Sequence, residues 1–114
     1  MKISKEELLT NLANFTGTEH YYKHFTSSKY TDGVRYLAIN ANCYWLLDAI
    51  FSYKRPEPFQ VWKLEVKDSK AILTMQEDSD QPILVRQDID FTDFPLDNIE
   101  LWLIDGVLIL PSEY

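Results

Sequence analysis

Ile99-Glu100-Leu101-Trp102-Leu103-Ile104-Asp105-Gly106-Val107-Leu108-Ile109-Leu110 is the stretch on which the reading of the fold turns. Two apolar runs flank Asp105-Gly106. That dipeptide suits a type I′ turn, whose two central residues both need positive φ. A two-residue loop fixes the register. Ile104 then faces Val107 and Trp102 faces Ile109 on one side of the sheet. Leu103 faces Leu108 and Leu101 faces Leu110 on the other. Both sides are apolar, whereas a sheet covered on one side alternates apolar and polar residues. The side carrying Trp102, Ile104, Val107 and Ile109 is therefore expected to be covered or to be a partner surface. One helical layer cannot cover two faces, so a symmetric homodimer is the expectation.

Upstream, the pattern is that of an antiparallel meander. Phe59 to Val66 alternates, with Trp62, Leu64 and Val66 on one face. Asp68-Ser69-Lys70 turns the chain and Ala71 to Glu77 returns it. Asp78 to Pro82 is a polar loop. Ile83, Val85, Ile89 and Phe91 alternate with Leu84, Arg86, Asp88 and Asp90, which predicts one dry and one wet face. Thr92 to Asp97 is a longer connection.

The first half reads as helical. Ser4 and Glu7 make a capping box ahead of Leu8, Leu9, Leu12 and Phe15. Thr18-Glu19 predicts a short second helix to Phe25. Asp32 is the expected N-cap of a third, with Val34, Leu37 and Ala38 on one face. Asn40-Ala41-Asn42 interrupts it. Tyr44 to Phe51 is apolar nearly all round, as a central helix is. Pro56 and Pro58 end the helical half. The expected fold is thus one α+β domain over residues 1–114. Its N-terminal helices pack on a C-terminal antiparallel meander of four to five strands.

Composition bounds the function. The 114 residues are 46% hydrophobic and include three Trp, seven Tyr and six Phe, enough for a core and too apolar for a disordered chain. The segment from Met1 to Glu7 has no apolar run like that of a signal peptide. No stretch approaches the length of a membrane helix. Cys43 is the single cysteine. A reduced, cytoplasmic protein is expected. The net charge of −7 is uneven. Residues 1–76 hold ten Lys/Arg and eight Asp/Glu; residues 77–114 hold Arg86 against ten acids. An acidic half repels nucleic-acid phosphates and attracts a basic partner.

Some segments look familiar: Phe15-Thr16-Gly17-Thr18-Glu19-His20-Tyr21-Tyr22-Lys23-His24, Tyr30 to Leu37, Tyr44 to Ile50, Thr92 to Leu96, and Leu110-Pro111-Ser112-Glu113-Tyr114. Together they resemble a family of small bacterial proteins of unknown function. The resemblance runs from about residue 9 to the last residue and implies an association with mobile elements. It implies no activity, so it assigns no functional residue.

Motifs for chemistry are sparse. His20 and His24 are four apart, a metal spacing if helical. Tyr21 stands where a metalloprotease needs Glu, so surface or capping histidines are the plainer reading. Cys43 sits among Tyr44, Trp45 and Leu46, which suits a buried thiol better than a nucleophile. Asp48 lies in the apolar helix, where a carboxylate either emerges at the surface or is buried and paired. Pairing with Arg35 or a Tyr hydroxyl would be structural, and that is the plainer reading, whereas a raised pKa in a cleft would suit acid/base work. The loop from Glu77 to Pro82 lacks the Gly and distal Glu of a calcium loop. Tyr21, Tyr22, Tyr30 and Tyr36 among Lys23, Lys29 and Arg35 could stack single-stranded bases, although core aromatics are the plainer reading.

No catalytic residue, metal or cofactor is therefore assigned. The leading expectation is a non-catalytic acidic interaction protein. Its surface would be Asp78, Asp80, Asp88, Asp90, Asp93, Trp102, Val107 and Ile109. Its partner would be a protein with a basic surface, such as nucleic-acid-handling or host-defence machinery. The alternatives are a small enzyme whose pocket uses His24, Asp48 or Cys43, and a small-ligand or single-strand-binding module.

Overall fold

The structure is a computed structural model and describes residues 3–114. Met1 and Lys2, where the signal-peptide reading begins, lie outside the described residues. Among the described residues, three α-helices are interleaved with seven β-strands. The order is α1 (Lys5–Ala13), β1 (Tyr21–Lys23), β2 (Lys29–Thr31), α2 (Asp32–Asn40), α3 (Tyr44–Ser52), β3 (Phe59–Lys67), β4 (Lys70–Gln76), β5 (Ile83–Ile89), β6 (Asn98–Ile104) and β7 (Val107–Ile109). A 3₁₀ turn, Pro111–Glu113, closes the chain.

The strands form one sheet in the order β1-β2-β7-β6-β3-β4-β5. All pairs are antiparallel except β2 with β7, which run parallel, so the sheet is mixed. This corrects the expected meander of four to five strands behind an all-helical half. The segment read as a second helix is instead the β1–β2 hairpin. Its physical cause is a set of contacts made across the hairpin. The Thr18 hydroxyl accepts from the Asp32 amide, and the Asp32 carboxylate accepts from the Glu19 and His20 amides. These bonds spend on a turn the groups a helix start would need. β2 then pairs along β7, a contact no local pattern announces.

The C-terminal hairpin has the expected register. Trp102 pairs with Ile109, Leu103 with Leu108, and Ile104 with Val107. Asp105 and Gly106 both have positive φ, 49° and 83°. Asp68 and Ser69 make the β3–β4 turn in the same manner, with φ of 54° and 62°. β5 departs from simple alternation. A register shift opposite Met75 and Gln76 makes Leu84 an extra residue. Val85 is therefore buried, while Ile83 is 56% exposed.

One layer of helices covers one face. Trp62, Leu64, Leu73, Met75, Leu101 and Leu108 point inward and join Leu8, Leu12, Val34, Leu37, Leu46, Leu47 and Ile50 in one core. Burying each of these large side chains contributes roughly 1.5–3 kcal/mol. The Trp62 indole N–H donates to the buried Gln60 side chain at 2.9 Å, so its one polar atom is satisfied. α2 starts one residue earlier than expected: Thr31 is the N-cap, its hydroxyl accepting from the Val34 amide.

The other face holds Phe59, Trp102, Ile104, Val107 and Ile109. Its cover comes partly from the chain's own end. The Tyr114 and Phe59 rings pack on Trp102 at centroid distances of 5.4 and 5.5 Å. All five side chains are half-buried, and Val61 between them is fully buried. The 3₁₀ turn is held by Glu113, whose carboxylate accepts from the Thr31 hydroxyl, the Gly33 amide and the Leu110 amide at 2.6, 3.1 and 2.9 Å. A carboxylate at the N-terminus of α2 is also favoured by the helix dipole. Among the described residues, no helix is long and apolar enough to cross a membrane.

Candidate functional site

The β1–β2 hairpin turns through His24, Phe25, Thr26 and Ser27, with Ser27 in the left-handed region at φ 78°. The His24 amide donates to the Ser28 carbonyl and the Ser27 amide to the His24 carbonyl. This turn leaves the imidazole pointing inward, 7% exposed, between the rings of Phe25 and Phe51. Its Nε2 lies 2.6 Å from Asp48 Oδ1 on α3. Its Nδ1 lies 2.8 Å from the Thr26 hydroxyl and 3.2 Å from the Thr26 amide nitrogen.

These contacts set the tautomer. A backbone N–H can only donate, so Nδ1 carries the lone pair and the Thr26 hydroxyl donates to it. Nε2 then carries the hydrogen, which it donates to Asp48. Asp48 emerges at the surface, its side chain 55% exposed, and pairs with His24 rather than with Arg35 or a Tyr hydroxyl. Arg35 instead stacks on the Tyr22 ring at 4.9 Å. Beside the turn is a cleft of about 360 Å³ lined by Thr26, Ser28, Phe51, Lys54, Arg55 and Leu103, among others.

Cys43 does not join His24 and Asp48. It is fully buried at the start of α3, and its thiol donates to the Leu37 carbonyl at 3.7 Å. Burial pushes this thiol up to about 12, which suppresses the thiolate. His20 and His24 also part company. In a hairpin they do not share a helical face, and exposed His20 lies 3.8 Å from Asp32. Asp32 is held below the ordinary carboxylate range by the Glu19 amide first and the Tyr22 hydroxyl second. Among the described residues, no group of three or more His, Cys, Asp or Glu could hold a metal ion.

The acidic candidates collect along one strand. Asp78 and Asp80 lie in the loop before β5, Asp88 on β5, and Asp90 and Asp93 in the loop after it, all exposed. β5 is the last strand of the sheet and leaves one edge unpaired. Ile83, Leu84 and Phe91 stand exposed along the same segment at 56%, 37% and 73%. Asp88 takes the Arg86 guanidinium at 3.3 Å, an exposed pair of small energetic weight. Trp102, Val107 and Ile109 belong to a different surface. β7 is four strand spacings from β5, about 19 Å at the usual interval.

A second cleft, of about 630 Å³, is lined by Lys63, Lys67, Lys70, Asp97 and Glu100, among others. Its charges are mixed. Sequence reasoning missed Thr26 and Glu113. The only local signal for Thr26 was a Thr-Ser-Ser run directly after His24-Phe25. Glu113 acts on residues 80 and more positions away, which no local pattern conveys.

The fold is therefore a mixed seven-stranded sheet with three helices on one face, an open aromatic cluster on the other, and an acidic free edge. The family described as a family of unknown function, DUF6876, matches residues 6–114, and the chain belongs to it. No curated protein matches the chain, and no solved structure does.

Proposed function

We propose that this is an acidic interaction protein whose β5 edge takes up an extended, basic segment of a partner protein. The observation that carries the reading is the coincidence, on one free edge, of unpaired backbone groups, acidic side chains and exposed apolar side chains. Residues 77–93 hold six acids against Arg86 alone. A strand added to β5 would satisfy the unpaired backbone groups. Its Lys and Arg side chains would meet Asp88, Asp90 and the flanking Asp78, Asp80 and Asp93. Its apolar residues would meet Ile83, Leu84 and Phe91.

The same charge argues against β5 pairing with its own copy, because two such edges repel. A basic groove that normally holds nucleic acid has the complementary chemistry. Inhibition of a nucleic-acid-handling or host-defence enzyme is the corresponding role. The acidic half makes direct nucleic-acid binding by this edge unfavourable.

The test is affinity capture from bacterial lysate on the wild-type chain and on an Asp88→Lys, Asp90→Lys double variant. Proteins with basic nucleic-acid grooves should be retained by the first, lost on the second, and eluted by added duplex DNA. Retention of the same proteins by both columns would refute the edge. Sedimentation of the purified chain as a dimer that persists in the double variant would point to the Trp102 face and a second copy instead.

A further inference from the structure

The chain of contacts through His24 has the directions that nucleophilic catalysis requires. We propose that Thr26, His24 and Asp48 form a nucleophile, general base and orienting carboxylate, and that the cleft beside them cleaves small acyl esters with water.

The geometry supports each role. The Thr26 hydroxyl donates to His24 Nδ1 across 2.8 Å, and Nε2–H donates to Asp48 across 2.6 Å. Nucleophile and base are thus in hydrogen-bond reach, with the base oriented by a third group. The tautomer is the productive one, because the Nδ1 lone pair faces the Thr26 hydroxyl at 2.8 Å, the shorter of the two contacts it receives, the other being from the Thr26 amide at 3.2 Å. The imidazole is 7% exposed, so little water competes for its lone pair, whereas Thr26 is half-buried and lines the cleft. Phe51 and Leu103 supply an apolar wall for an acyl chain. Lys54, on the same cleft, has no ion-pair partner among the described residues and can offer its ammonium to a developing oxyanion. Arg55 is already engaged by Glu57 through two bonds of 3.0 Å.

The step balances without a cofactor. Thr26 Oγ bonds to the ester carbonyl carbon as its proton passes to Nδ1. The imidazolium is held by Asp48. The carbon–alkoxide bond breaks and the leaving oxygen takes the proton from Nδ1, leaving acyl-Thr26. Water then attacks the acyl carbon, gives its proton to Nδ1, and the Thr26 oxygen leaves and recovers it. The net change is ester plus water to acid plus alcohol. Because this cleft and the β5 edge use different residues, the two proposals stand or fall separately.

A structural clasp would show the same distances, so the test reads covalent reactivity. The wild-type chain is incubated with a fluorophosphonate, which phosphonylates an activated hydroxyl and releases fluoride, and is followed by intact mass and peptide mapping. One adduct per chain on Thr26 is expected, with burst release of nitrophenol from p-nitrophenyl acetate. Asp48→Asn should slow both by about 10²–10⁴-fold. Thr26→Ser should keep the adduct and Thr26→Val should lose it, each with an unchanged far-UV dichroism spectrum. Absence of a Thr26 adduct in the wild-type chain would overturn the proposal, as would labelling that Asp48→Asn leaves unchanged.

Discussion

Replacing Glu113 with Ala should destabilise the whole domain, although the residue is next to last. Its carboxylate accepts three hydrogen bonds, from Thr31 Oγ1 at 2.6 Å, Leu110 N at 2.9 Å and Gly33 N at 3.1 Å. Thr31 is 1% exposed, so its hydroxyl cannot readily turn to water. Hydrogen bonds to an ionised acceptor contribute about 1.5–3 kcal/mol each, and the helix-dipole contact about 0.3–1 kcal/mol. Glu113 itself is half-buried, so water replaces part of what is lost. The net cost should be about 2–4 kcal/mol, which lowers Tm by about 8–16 °C for a chain of this size. Gly33 sharpens the test. A Cβ there would lie 2.6 Å from Leu110 Cδ1 and 2.7 Å from Glu113 Oε1. Gly33→Ala should therefore cost about 1–3 kcal/mol by overpacking, less the roughly 1 kcal/mol Ala contributes to a helix. That cost should shrink in the Glu113→Ala background, giving a coupling above about 0.5 kcal/mol. Thermal and urea unfolding of the four chains decide it. A Glu113→Ala midpoint within about 2 °C of wild type, or strictly additive changes, would refute the clasp.

Gly106→Val should cost about 1–3 kcal/mol from backbone strain alone, because φ is +83° and nothing lies within 4 Å of the added Cβ. An unchanged urea midpoint would sink that turn assignment. Cys43 should resist iodoacetamide at pH 8 in the native chain and react only on unfolding. Burial holds its folded value at about 12, above the roughly 8.5 of an unfolded thiol. The fold therefore keeps the proton more tightly. This contribution to stability is complete below about pH 8.5 and falls away as pH rises towards 12. Cys43→Ala should remove that part of the alkaline loss. Rapid native alkylation would contradict it.

The local chemistry of the sequence determined several elements by itself. Asp105-Gly106 and Asp68-Ser69 fix tight turns through positive φ, and those turns fix which side chains share a face. Ser4 caps α1 on the Glu7 amide, and the break at Asn40–Asn42 separates α2 from α3 with Asn42 at φ 51°. The dry inner stripe of Trp62 and Leu64 follows from alternation alone. The tertiary structure decided the rest. Tyr21 to Thr31 is rich in Tyr, Phe and Thr and so leans to strand, but the hairpin's place at the sheet depended on the partners that Asp32 and β7 offered. Asp48 and Thr26 meet on His24 only because the hairpin packs against α3. Glu113 reaches the start of α2 across some 80 residues, because burying the unpaired amide of Gly33 and hydroxyl of Thr31 demands an acceptor that no neighbour in sequence supplies.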